Sequence, residues 1–197
     1  MYVPRNIILK DHKELSGVRD SKMLSASQRE RLASAIKESG IHYAIRLAYP
    51  KTIDRLNIFQ ASRQAMKRAV LTVLRRGPAA FYPHRIQSTS VRRGSPSRTT
   101  PLENSVILVD GPHKIPGLAV EQQPIVKGDQ KVFAIACASI LAKVYRDTMM
   151  KRYAKRYPQY GFEKHMGYGT QLHYTRLGLH GPSEIHRRSF QLSKKLI

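Results

Sequence analysis

The chain has 197 residues, enough for one domain with a hydrophobic core of its own. Lys and Arg number 35 against 13 Asp and Glu, a formal net charge of +22, and 41% of the residues are hydrophobic. This composition excludes a disordered chain and calls for a polyanionic partner, nucleic acid before an anionic membrane surface.

The run from Val3 to Lys10 predicts a short strand. Residues 16–25 read as a loop into a helix, where Ser25 and Gln28 have capping-box spacing. Leu32, Ala35 and Ile36 give that helix an apolar stripe, and Gly40 is placed to end it. Ile41, Tyr43, Ile45 and Leu47 alternate with His42, Ala44 and Arg46, the pattern of a half-buried strand. Asn57 with Gln60 marks another helix start. Ser62, Ala65, Met66, Ala69, Val70 and Val73 follow at helical spacing, and Gly77 closes the element.

Residues 76–104 break the pattern, with Pro78, Pro83, Pro96 and Pro101 among arginines, and read as a solvated, disordered basic loop. Val106-Ile107-Leu108-Val109 is a continuous apolar run, as in a strand buried on both faces, and ends at Asp110-Gly111. Ile125-Val126 ends at Lys127-Gly128-Asp129. A long helix is expected over 134–156, with Ala138, Leu141, Tyr145 and Met149 inward and Ser139, Lys143, Arg146 and Met150 on another side. The tail, 157–197, reads as loop and short helix. This order of elements is α/β.

No apolar stretch approaches the ~20 residues of a membrane span, and Ile7-Ile8-Leu9 is too short for a secretory signal core. The single cysteine, Cys137, cannot form an intrachain disulfide or a zinc cluster and reads as core. These features predict a soluble, cytoplasmic chain that does not engage a membrane.

Asp110 and Asp129 carry most of the chemical interest. Each stands at the end of an apolar run, and strand ends line the functional crevice of α/β sheets. Two carboxylates there can hold a hard divalent cation, and a pair of such cations can drive phosphodiester hydrolysis. Asp-Gly is also a common turn, so spacing leaves the structural and the metal-binding readings about even. His165, His173, His180 and His186 lack metal-ligand spacing and read as solvated or phosphate-contacting. Tyr157, Tyr160, Phe162 and Tyr168 lie among cations, which suits stacking on nucleic acid, although ordinary packing is favoured for Phe162.

Several blocks resemble the ribonuclease HII (type 2 ribonuclease H) family. They are Asp20-Ser21-Lys22-Met23-Leu24-Ser25, Ile53-Asp54-Arg55-Leu56-Asn57-Ile58 with Ala65-Met66, Val109-Asp110-Gly111 and Val126-Lys127-Gly128-Asp129. More specific are Ala138-Ser139-Ile140-Leu141-Ala142-Lys143-Val144 with Arg146-Asp147, Tyr157-Pro158-Gln159-Tyr160-Gly161-Phe162 and Gly167-Tyr168-Gly169-Thr170. His180-Gly181-Pro182-Ser183 with His186-Arg187-Arg188-Ser189-Phe190 completes the likeness, which covers nearly everything except 76–104.

The resemblance implies an RNase H-like mixed sheet flanked by helices, with a C-terminal helical extension. It divides the chain into a catalytic core, 1–156, carrying 76–104 as an insertion, and a substrate-binding extension, 157–197. It implies Mg²⁺- or Mn²⁺-dependent cleavage of RNA in RNA–DNA hybrids, and 5′ of ribonucleotides embedded in duplex DNA, leaving 5′-phosphate and 3′-hydroxyl ends. Asp110 and Asp129 would be catalytic metal ligands in a two-metal site. Tyr168 would stack on the sugar at the junction, and Lys22, Ser139, Lys143 and Arg146 would contact phosphates or support the site. A monomer is implied.

Three departures stand out. The family's first strand carries Asp-Glu followed by Gly-Arg-Gly, and neither motif occurs here. Met166 stands where the family usually has Lys, and 76–104 replaces a short connection. The chain thus reads as a copy lacking that first strand, with impaired catalysis. The alternatives are a non-catalytic hybrid-binding remnant and a basic structural RNA-binding protein.

Overall fold

The computed structural model describes residues 13–76 and 105–189, which form a helix-rich α/β fold around a small parallel sheet. The strand expected over 3–10 and the loop expected over 76–104, apart from Arg76 at the end of a helix, lie outside the described residues.

Helix α1 runs Ala26–Glu38. Ser25 caps it as its sequence suggests: its side chain accepts from the Gln28 amide while Gln28 accepts from the Ser25 amide. Leu32, Ala33 and Ile36 are buried, and Gly40 takes the left-handed turn beyond Ser39. Helix α2, Pro50–Arg76, is broken at Asn57 (φ 64°, ψ 165°), whose side-chain oxygen accepts from the Gln60 amide at 3.0 Å. The break is therefore a second N-cap inside the helix, at the residue where sequence predicts a new start. Ala61 and Val73 are its buried residues, whereas Met66 is exposed.

The strand expected over 41–47 is not formed. His42 makes an isolated bridge and the rest is irregular. Arg46 donates to the Ile45 carbonyl at 3.0 Å and Arg68 to the Leu47 carbonyl at 3.3 Å. Ile41 is buried, but Tyr43, Ile45 and Leu47 are no better covered than His42 and Ala44.

Strands β1, Val106–Asp110, and β2, Glu121–Ile125, pair in parallel, with Val106 opposite Glu121 and Asp110 opposite Ile125. Residues 111–120 connect them without a helix. Gln122 pins that connection, accepting from the Ile115 amide at 2.7 Å and donating to its carbonyl at 2.9 Å. The apolar run of β1 is less buried than its composition predicts. Val109 is buried, but Val106 is 47% exposed, because a described sheet of two strands leaves much of each face uncovered.

Helix α3, Gly128–Lys131, leads into α4, Phe133–Arg156. Helix α4 joins two apolar clusters. Cys137, Ile140 and Leu141 pack with Leu15, Leu24, Leu32, Ile36 and Ile41; Met150 packs with Tyr160 and Phe162 of the tail. Serving α1 at one end and the tail at the other turns its buried stripe away from the expected one. Leu141 is buried and Ala138 and Met149 are half-buried, but Tyr145 is 44% exposed. Short helices α5, Phe162–His165, and α6, Gln171–His180, complete the tail. Each fully buried Leu, Ile or Phe here contributes about 1.5–3 kcal/mol.

Candidate functional site

The two acids singled out by sequence come together at the end of the parallel pair. Asp110 is the last residue of β1 and is exposed; Asp129 sits in α3 and is buried. The Gly128 amide donates to Asp110 Oδ1 at 2.9 Å, so the backbone carrying Asp129 holds the other carboxylate. Lys127 enters α3 in the left-handed region (φ 56°). Gly128 is closely packed: a β-carbon there would lie 2.6 Å from Ile135 Cδ1 and 3.4 Å from Asp110 Oδ1, so Ile135 would have to shift.

The loop before α1 faces this pair. Lys22 Nζ lies 3.7 Å from Asp129 Oδ2. Asp20 accepts from the Lys22 amide at 2.9 Å and from Gln130 Nε2 at 3.2 Å. The Lys22 amide, then Gln130 and the Lys22 charge, hold the Asp20 carboxyl below the usual range. Ser139 serves the site from α4. Its hydroxyl pairs with that of Ser21 at 2.9 Å and fastens the loop to α4.

Ser139, Lys143 and Arg146 lie at i, i+4 and i+7 on α4, hence along one side. Lys143 Nζ and Arg146 Cζ each lie 5.2 Å from the Tyr168 ring centroid, and that ring is 52% exposed. Arg146 also donates to the Met166 carbonyl at 3.0 Å. Asp147 restrains the cations, 2.6 Å from Lys143 and 3.8 Å from Arg29. Beside Tyr168 opens a cleft of about 340 Å³ whose lining includes Arg29, Lys143, Lys151 and Lys164.

Sequence reasoning assigns no role in the site to Asp20, Gln130, Gly128 or Asp147. Asp20 carried a usable signal, an Asp two residues before the amide it caps. Three of the four tail histidines correct the expectation of solvated or phosphate-contacting groups: His165 and His173 are buried and stacked at 4.4 Å, and His173 pairs with half-buried His186, whereas His180 is exposed. Their partners come from tertiary packing, which spacing does not show. Tyr160 and Phe162 are likewise core, while Tyr168 remains at the surface.

Among the described residues no group of three or more His, Cys, Asp or Glu is arranged to hold a metal, and no helix is long and apolar enough to cross a membrane. Asp110 and Asp129 offer hard carboxylate oxygens. That set suits one Mg²⁺- or Mn²⁺-like ion that keeps waters and takes substrate oxygens, a common arrangement for Mg²⁺.

Known proteins supply the wider context. The family model described as Ribonuclease HII matches residues 5–193. A protein named Ribonuclease HII from Pelodictyon phaeoclathratiforme is 40% identical over 90% of this chain and 73% of its own length. One of the same name from Endomicrobium trichonymphae is 42% identical over 93% of this chain and 75% of its own. That from Clostridioides difficile is 39% identical over 93% and 61%. With the match spanning nearly the whole sequence, and the motif blocks meeting around Asp110, Asp129 and Tyr168, the chain belongs to the ribonuclease HII family.

Proposed function

We propose that this chain is an endonuclease that hydrolyses RNA in RNA–DNA hybrids and nicks 5′ of ribonucleotides embedded in duplex DNA, leaving 5′-phosphate and 3′-hydroxyl ends. The observation that carries the proposal is the pairing of Asp110 and Asp129 at the sheet end, the first oriented by the Gly128 amide, in a chain of net charge +22. Membership of the family supports the substrate class.

Asp110 and Asp129 would hold Mg²⁺ or Mn²⁺, which supplies an activated water and neutralises charge on the leaving oxygen. Gly128 fixes the direction of Asp110, and Lys22 offsets the charge of Asp129. Tyr168 stacks on the sugar at the junction, with Lys143 and Arg146 beside it to meet phosphates. Ser139 supports the site through Ser21. The core is placed at 1–156 and the substrate-binding extension at 157–197, in a chain acting as a cytoplasmic monomer.

Two-metal catalysis needs more ligands than these two carboxylates provide. We therefore expect slow cleavage by this chain alone. The same shortage favours a second reading, a protein that holds hybrids without cutting them.

A nicking assay on duplex DNA with one ribonucleotide, in Mg²⁺ or Mn²⁺, compares the chain with Asp110→Asn. A nick lost in the variant supports the nuclease. No nick, with hybrid-selective binding whose log K falls by about 0.9 per phosphate contact per decade of salt, supports the binding reading. Neither nick nor selectivity overturns both.

A further inference from the structure

The tail contains a chain of hydrogen bonds that ends on the backbone of Tyr168. His173 Nδ1 lies 3.0 Å from the Tyr168 carbonyl, so Nδ1 carries the proton and donates. Its Nε2 then bears a lone pair and faces His186 Nε2 at 3.2 Å, so His186 donates there. His186 Nδ1 is left as an acceptor, taking the Ser183 amide at 3.0 Å and the Ser183 hydroxyl at 2.8 Å. His165 is set independently: its Nε2 donates to the Tyr160 carbonyl at 2.9 Å and its Nδ1 accepts from the Gly167 amide at 3.2 Å. Every ring nitrogen thus has a partner only when all three imidazoles are neutral.

The Tyr168 segment is held from both sides by this network. The Tyr168 amide donates to the His165 carbonyl at 2.8 Å, and its carbonyl accepts from Thr170 at 2.8 Å as well as from His173. Its ring remains exposed. A device that fixes the backbone and leaves the ring free suits a residue that must meet a partner at one angle.

We propose that His173, locked in one tautomer by His186, is a positioning residue that sets the Tyr168 backbone and with it the ring that reads the RNA–DNA junction. This rests on the reading of Tyr168 given above. It concerns how that ring is aimed, which no motif of the chain discloses.

The groups around the rings are consistent with neutrality. Tyr160 lies 4.9 Å from His186, Phe162 lies 5.7 Å from His173, and Tyr174 stacks on His173 at 6.5 Å. His180 faces Tyr160, Arg146 from α4 binds the Met166 carbonyl, and Arg187 adjoins His186 in sequence. Glu184, the acid nearest in sequence, is engaged by Arg156 and Tyr157. Burial, and then the neighbouring imidazoles, hold His173 and His186 below the ordinary histidine value. Because both folded values are lowered, the ordering they provide is complete above the unfolded value of about 6.5 and is lost as pH falls through the folded one.

The test uses the full chain, without divalent metal, and two readouts. One is the ratio of its affinities for duplex DNA with and without a single ribonucleotide. The other is hydrogen exchange over 166–170, corrected for intrinsic pH dependence. His173→Leu removes the donor; His173→Asn keeps a donor near Nδ1 but cannot titrate. We expect His173→Leu to speed exchange and cut the ratio about fivefold, the scale of one hydrogen bond, and His173→Asn to restore most of both. Protonation of His173 would keep the Nδ1–H and remove only the Nε2 acceptor, so acid should release the His186 end of the chain of bonds in the native protein and not in His173→Asn. If His173→Leu does not fold, His186→Leu, which leaves the His173 tautomer unfixed, carries the test: native exchange over 166–170 and a native ratio in that variant overturn the proposal. Native behaviour of His173→Leu, or His173→Asn no better than His173→Leu, overturns the proposal. Faster exchange in His173→Leu with a ratio untouched by Tyr168→Ala upholds the positioning and overturns the Tyr168 reading instead.

Discussion

Gly128→Ala perturbs the acid pair by a single methyl group. The new β-carbon would lie 2.6 Å from Ile135 Cδ1 and 3.5 Å from its Cγ2. The first separation is far inside the ~3.5–4.0 Å of a comfortable carbon–carbon contact. Ile135 is 8% exposed, so its side chain cannot simply swing into water. Overpacking of this kind costs about 1–3 kcal/mol. Alanine recovers up to about 1 kcal/mol over glycine in a helix interior, and less at the first residue of so short a helix as α3. A net loss of about 1–2 kcal/mol lowers Tm by roughly 3–6 °C in a domain of this size. The conflict lies mainly with one methyl, so Ile135→Val tests its origin. Alone, that change costs about 0.5–1.5 kcal/mol. Beside Gly128→Ala it should cost nothing or stabilise, a coupling at least as large as that cost, about 0.5–1.5 kcal/mol. Urea unfolding of the four proteins of the cycle measures this. Additive losses, within about 0.5 kcal/mol, would refute the packing argument.

Two further outcomes are expected. Burial pushes the Cys137 thiol up to about 12, so at pH 8 about one molecule in 10⁴ carries the thiolate. A disulfide reagent should label it only on unfolding, and prompt labelling of the native protein would contradict the buried assignment. Asp54 accepts from the Ser189 hydroxyl at 2.6 Å, the Ser189 amide at 2.9 Å and the Arg188 amide at 3.1 Å. The Ser189 hydroxyl first, then the two amides, hold its carboxyl below the usual range. The clamp is therefore complete above the ordinary aspartate value and is lost as pH falls through the folded one. Asp54→Ala should speed tryptic cleavage at Arg187 and Arg188 at neutral pH. An unchanged cleavage rate would show that Asp54 does not secure the tail.

Local chemistry was readable from sequence where its partners are close along the chain. Ser25 with Gln28 and Asn57 with Gln60 are three residues apart, and both capping predictions match the structure. Asp110 is legible as a strand-end acid, whereas Asp129 stands four residues past β2, in α3, and the turn of Gly128 brings it to Asp110. The strand over 41–47 is misread because alternation reports burial and not pairing, and of these residues only His42 forms a bridge. The buried face of α4 was misread because two different partners share it, which no single helical period describes. The histidine network was invisible because His173 and His186 meet only after the tail folds back on itself.

The connection between β1 and β2 also bears on the order in which the site forms. The Asp110–Gly128 bond closes a loop of 18 residues, whereas Asp20 reaches Gln130 across 110 and Ser21 reaches Ser139 across 118. Loop entropy scales with the logarithm of length, so the acid pair closes at a cost about 1.6 kcal/mol lower than the Asp20 contact. The two carboxylates are then expected to be in place early, with the loop carrying Lys22 docking late. Chevron measurements would show this as slower folding for changes at Gly128 and faster unfolding for changes at Ser21 or Ser139, and the reverse pattern would exclude it. The geometry of the acid pair is thus a local possession of some twenty residues, while the cation beside it, Lys22, arrives from the far end of the chain.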